Sequence, residues 1–220
     1  MKTTINRFAL FVVTCFFLYS CGKSTTTNQQ TTDSTKTTVV TDTVKQTNVV
    51  TVDKEAEFKK CLDVVYNALK SKKLKEINQF IHPDYGLFTL TNPGVFYAAT
   101  HSKSVEPEFM ENYLYSVSAK LCNEVKSEKI AVYDCDKGWN KKGCFVEDVT
   151  GIDKMSKIIK DEKDMTGEDP AKDKVEAGKK SDAVISRLFN TTECNVELYF
   201  SFINDKWYII CINLISPCEA

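Results

Sequence analysis

The chain has 220 residues, 42% of them hydrophobic and 27% charged, which fits one globular domain or at most two. Its 29 basic and 30 acidic residues leave no single-sign field to draw nucleic acid onto the surface, so no nucleic-acid partner is expected. No apolar run reaches the roughly eighteen residues of a spanning helix, and the low Gly and Pro content excludes collagen-like and Pro-rich chains.

Residues 1–20 read as an export signal. Lys2 and Arg7 precede the apolar stretch from Phe8 to Leu18, which suits a signal core and is too short to span a bilayer. The stretch closes in Leu18-Tyr19-Ser20-Cys21-Gly22, which resembles the lipobox of bacterial lipoproteins. The resemblance implies cleavage between Ser20 and Cys21, diacylglycerol on the Cys21 sulfur and a further acyl chain on its amine. Two or three chains hold a protein at the membrane durably, where one alone binds only marginally. Cleavage would leave 27 basic against 30 acidic residues, so attachment is expected through the lipid and not through a basic face.

Residues 22–52 change composition abruptly. Twelve of these thirty-one residues are Thr, and none is aromatic, Leu or Ile. Such a stretch buries too little surface to offset its ordering entropy, so residues 21–53 are expected to form the lipidated Cys and a flexible tether. The valines from Val39 to Val52 would also suit an added edge strand. Asp33-Ser34-Thr35 and Asp42-Thr43-Val44 resemble the short sites that Bacteroidota O-glycosylate, which implies glycans on Ser34 and Thr43. Gly22-Lys23-Ser24-Thr25 lacks the acidic residues that favour surface export in such bacteria, which implies an outer-membrane position facing the periplasm.

Residues 54–220 are expected to form a single domain. Phe58, Leu62, Val65 and Leu69 follow the stripe of an amphipathic helix, with Asp53 as its N-cap and Lys70, Lys72 and Lys73 at its C-terminal end. Leu74, Ile77 and Phe80 continue as a short second helix that must stop near His82, because Pro83 disfavours helical geometry before it. Leu87–Leu90 and Val95–Ala99 flank the turn cluster Thr91-Asn92-Pro93-Gly94 and predict a hairpin. Phe109, Tyr113 and Val117 predict a helix after Pro107. Lys129–Tyr133 reads as a strand with Cys144–Val146 as its return partner. Residues 153–181, dense in Lys, Asp and Glu, read as an exposed, solvated helical or loop insertion. Val196, Leu198, Phe200 and Phe202 alternate with polar residues and predict a half-exposed strand. Asn204-Asp205-Lys206 turns the chain, and Trp207–Ile212 returns as a central strand apolar on both faces.

Helices first and strands later define an α+β class. The order, with Asn204-Asp205-Lys206-Trp207 in the last hairpin, resembles the NTF2-like (cystatin-related) fold over residues 54–100 and 190–214. That resemblance implies N-terminal helices packed on a curved antiparallel sheet, a cone. No catalytic motif of that family is present to carry over, and the charged insertion departs from its usual length.

Seven cysteines come after the lipobox, and export to an oxidising compartment predicts disulfides among them. Cys135 and Cys144 flank a turn-rich connection, and Cys194 falls near Cys218 across the last hairpin. These two pairs are the candidates, with Cys61 and Cys211 as buried free thiols. No Cys-x-x-Cys occurs and the two histidines lie far apart, so neither a metal nor a cofactor is expected. The one constellation with catalytic chemistry is His82-Pro83-Asp84 with His101, where a carboxylate from Asp84 or Glu106 would complete an acid–base pair. Tyr85, Phe88, Phe96, Tyr97, Phe200, Phe202 and Trp207 would line a pocket or form core.

The residues leave three functional readings. The first is an envelope protein, lipid-anchored, that binds a small apolar ligand or a protein partner without chemistry. The second is a hydrolase- or isomerase-like enzyme using His82 or His101. The third is a structural or interaction module of the envelope. The absence of a dense catalytic motif puts binding first.

Overall fold

The computed structural model describes residues 53–107, 122–216 and 218. The leader, Cys21, the tether with Ser34 and Thr43, and the helix expected after Pro107 lie outside the described residues. Helix α1 (Lys54–Ser71) begins as its sequence predicts: the Asp53 carboxylate accepts from the backbone N–H groups of Glu55 and Ala56. It ends at Lys72, which takes a left-handed conformation (φ 57°) and donates its N–H to Leu69. Residues Leu74–Phe80 form a 3₁₀ helix. Their apolar residues fall three apart, the period at which 3₁₀ side chains eclipse, so Leu74, Ile77 and Phe80 all bury.

The strands are β1 (Leu87–Thr91), β2 (Ala98–Ser102), β3 (Val125–Ser127), β4 (Tyr133–Asp134), β5 (Gly138–Trp139), β6 (Cys144–Asp148), β7 (Arg187–Thr191), β8 (Val196–Ile203) and β9 (Lys206–Asn213). Helices α2 (Lys154–Thr166) and α3 (Lys172–Val184) lie between β6 and β7. Among the described residues, seven strands form one sheet in the order β2-β1-β9-β8-β7-β6-β3, and β4 and β5 form a separate hairpin.

The α+β class holds, but the sheet is mixed where an antiparallel one was expected, and it does not curl. β1 runs parallel to β9, and β3 parallel to β6. The last hairpin matches its reading: Asn204 (φ 49°) and Asp205 (φ 60°) form a two-residue turn, and β9 sits centrally between β1 and β8. Its run of apolar residues has a second cause. Tyr199 pairs with Cys211 and Phe200 with Ile209, so Ile210 is an extra residue that reverses the facing of the strand beyond it.

Helix α1 and the 3₁₀ helix cover one face, burying Phe58, Leu62, Val65, Phe189, Leu198, Phe200 and Trp207 together. Residues 153–181 are helical and largely exposed, as their charge predicts, but they are not wholly solvated. Met155, Ile158 and Ile159 of α2 bury against Phe88, Ile210 and Cys211 on the opposite face, giving a helix–sheet–helix stack. Tyr199 and Ser201 are buried for that reason, although alternation predicts them exposed. The start of α2 is fastened by its neighbour: the buried Asp182 of α3 accepts from the N–H groups of Met155 and Ser156 at 3.0 and 2.9 Å. Gly178 lets the helices close, since a Cβ there would stand 2.8 Å from Ile159 Cδ1.

Two strand assignments move. β2 starts at Ala98 and leaves Val95 75% exposed in the turn. Lys129–Val132 is not a strand, and β6 pairs with β3 and β7 instead. The buried Asn190 amide replaces a neighbouring strand there, accepting from the Ala131 N–H at 3.3 Å and donating to its carbonyl at 2.9 Å.

Candidate functional site

A groove of about 320 Å³ opens beside α2, with one wall made by residues 130–139. Local bonds fix that wall. The Asp134 carboxylate accepts from the N–H groups of Asp136 and Lys137, and Gly138 (φ 76°) completes the turn in a conformation that favours glycine. Val132 and Asn140 exchange bonds at 3.0 Å, Val132 N–H to the Asn140 side chain and Asn140 N–H to the Val132 carbonyl. Asn190 holds Ala131 from beneath, and a Cys135–Cys218 disulfide ties the hairpin tip to the C-terminal segment. On this wall Tyr133 and Trp139 pack edge to face with centroids 5.1 Å apart. Tyr97, Ile158 and Ile215 supply the remaining apolar surface.

The polar part of the groove is one network. Glu197 Oε2 accepts from the Tyr199 hydroxyl at 2.8 Å and from Asn213 Nδ2 at 2.7 Å, and Lys154 Nζ lies 3.9 Å away. Burial, and then the nearby carboxylate, push the Tyr199 phenol far up, so it stays a donor. All three of these contacts use Oε2 of Glu197, and Asn195 also borders the groove. Such a site can hold a molecule by an apolar face and a few hydrogen bonds.

The histidine constellation is partly brought together. Asp84, His101 and Glu106 border one open cleft of about 530 Å³, with Lys180, Asp173 and Glu176 of α3 on its far side. His82 is not among its walls; it packs edge-on to Tyr85 and Tyr208. Both imidazoles bond to backbone groups. His82 Nδ1 accepts from the Asp84 N–H at 3.1 Å, and His101 Nε2–H donates to the Tyr85 carbonyl at 2.8 Å while the ring stacks on Phe88. Gly86 (φ 69°) permits this, since a Cβ there would lie 2.6 Å from His101 Nε2. Among the described residues, no cluster of three His, Cys, Asp or Glu side chains could hold a metal ion.

The disulfides differ from the candidate pairs. Cys144 bonds Cys122 and Cys135 bonds Cys218, whereas Cys194 is a buried thiol 3.3 Å from the Tyr66 hydroxyl. The pairing of β6 with β3 explains the first: Val125 lies opposite Cys144, which brings Cys122 to its side and carries Cys144 away from Cys135. Cys61 and Cys211 are buried free thiols, as their positions predict. Of the candidate pocket aromatics, Phe88, Phe200 and Trp207 are core, and only Tyr97 borders the groove. Tyr133, Trp139, Glu197 and Asn213 were not singled out by sequence; the one signal was an aromatic pair flanking a Gly-containing turn.

Comparison with protein-family models, with curated proteins and with solved structures finds no match.

Proposed function

We propose that this chain is a lipid-anchored envelope protein, held at the outer membrane through Cys21 and facing the periplasm, whose domain binds a small ligand with an apolar face and performs no chemistry. The observation that carries the binding half is the groove itself: aromatic side chains on a doubly fastened wall beside a carboxylate network. The lipobox resemblance carries the anchoring half. An NTF2-like origin for residues 54–100 and 190–214 is part of the same proposal. It is supported by α1 lying against β9 and by the turn before Trp207, and opposed by the mixed sheet that does not curl.

A second reading, hydrolysis in the Asp84–His101–Glu106 cleft, is favoured only by those three residues sharing it. The two separate in native mass spectrometry of the protein released undenatured from its own envelope. An adduct of roughly a few hundred daltons, within the size such a groove encloses, is expected in the wild type and absent in a Tyr133→Ala/Trp139→Ala variant. An adduct that survives in that variant but is lost in His101→Gln would transfer the site to the cleft. For the anchor, the mature N-terminal peptide is expected to begin at acylated Cys21, and an unmodified peptide starting elsewhere contradicts it.

A further inference from the structure

We infer that the groove at Tyr97, Tyr133, Trp139 and Glu197 is a saccharide subsite, taking a neutral pyranose unit or a pair of them; this rests on the proposed reading of the groove as a small-ligand site. A sugar ring presents two chemistries at once, a face of aliphatic C–H groups and a rim of hydroxyls. Its partner must offer a flat apolar plane and planar hydrogen-bonding groups with unused capacity.

The plane is supplied by the Tyr133–Trp139 pair. In an edge-to-face pair each ring keeps a free face, and Tyr133 is 38% exposed although it belongs to a hairpin fixed by bonds on both sides. The rim is met by Glu197 and Asn195, which both line the groove; the contacts of Glu197 to Tyr199, Asn213 and Lys154 all use Oε2, which leaves its other oxygen to accept. Asn213 and the Tyr199 hydroxyl are spent on Glu197 and fix its orientation. The groove's volume of about 320 Å³ matches one or two pyranose rings.

Charge excludes the other ligand that aromatic walls and a carboxylate attract, an organic cation. Lys154 Nζ stands 3.9 Å from Glu197 Oε2 and borders the same groove, so a ligand cation would compete with it for the carboxylate and meet its repulsion. A purely apolar ligand fits poorly as well, because it would cover Glu197 Oε1 with no donor in exchange.

The test is titration of the full chain, carrying Cys21→Ser so that it stays free of lipid, with maltose, N,N′-diacetylchitobiose, choline and hexanoate, read by tryptophan fluorescence. The chain has two tryptophans, and Trp207 is 1% exposed in the core, so a ligand-induced change reports Trp139. A saturable response to at least one disaccharide is expected, with none to choline or hexanoate. Glu197→Gln should weaken it about fivefold by replacing a charge-assisted acceptor with a neutral one. Tyr133→Ala should weaken it about tenfold while leaving the thermal transition within a few degrees, since its ring is a surface group. A response to choline or hexanoate alone overturns the saccharide class and leaves the groove a ligand site. Silence toward all four, in protein that shows no native adduct, overturns both.

Discussion

Arg187 shows how a single side chain fastens a helix to the sheet. Its guanidinium lies 4.6 Å from the centroid of Phe58 and 4.9 Å from that of Trp207, and it donates to Asp148 at 2.7 Å and Glu55 at 2.8 Å. The arginine side chain is only 7% exposed, whereas the carboxylates it meets are 73% and 71% exposed. The partners therefore contribute unequally. Arg187→Ala is expected to cost about 2–3 kcal/mol through lost packing between two rings, with Arg187→Met restoring most of it. Asp148→Asn should cost less than about 1 kcal/mol, because an exposed carboxylate is well solvated in the unfolded chain too. Hydrogen bonding from Arg187 holds the Asp148 carboxyl below its usual range. A depressed pKa stabilises the fold fully above the ordinary carboxylate value and loses that effect as pH falls through the lowered one. The urea stability gap between wild type and Asp148→Asn should thus narrow on acidification from about pH 7 to about pH 3, and a constant gap contradicts this. The thiols give a second prediction at this scale. Burial pushes Cys61 up to about 12 and Cys194 and Cys211 upward as well, so all three stay protonated and shielded near neutrality. Iodoacetamide should leave the native domain unlabelled and add three labels after denaturation without reductant; labelling of native Cys194 would count against it.

The two helices between β6 and β7 explain why some elements are readable in sequence and others are not. Helix α1 carries four apolar residues at helical spacing, and its Asp53 cap is local, so each cue lies within a few residues. The final hairpin is equally local: alternation, a two-residue Asn-Asp turn, and a returning apolar run. Helix α2 buries only Met155, Ile158 and Ile159 among lysines and aspartates, and its N-terminal bonds come from Asp182, far along the chain. A charged composition thus concealed a core face. Met155→Ala or Ile159→Ala is expected to lower stability in urea by about 2–4 kcal/mol, the cost of a core truncation, where a solvated insertion would lose almost nothing. Asp182→Ala should cost about 2–3 kcal/mol, since it strands two N–H groups. Exposure of one sheet edge is handled in the same way. Glu162 of α2 accepts from the Ala99 N–H at 3.3 Å and pairs with Lys174 at 2.9 Å, covering part of the open edge of β2.

At the scale of the molecule, the sheet gathers a groove from segments that are distant in sequence. Tyr97 lies just before β2, Trp139 belongs to the small hairpin, Lys154 opens α2, and Glu197 and Asn213 sit opposite each other on β8 and β9. Two of these contacts depend on pairings that only the folded sheet defines. The groove was therefore illegible in sequence apart from Tyr97, whereas the histidines, clustered around one loop, were conspicuous and turned out to be bonded to that loop's own backbone. Disulfide pairing was illegible for the same reason, since the parallel β3–β6 pair decides which cysteine reaches Cys144. Lipid anchoring at Cys21 and ligand capture in the groove make one proposal: a protein held at the membrane that retains a small molecule without altering it. The most direct measurement is hydrogen exchange on the protein as released from its envelope, before and after its ligand is stripped by mild denaturation and refolding. The account predicts faster exchange after stripping in residues 130–140 and 154–158, with Asp84–Glu106 and residues 173–180 unchanged. Faster exchange confined to Asp84–Glu106 and residues 173–180 would place the ligand in the histidine cleft and contradict it.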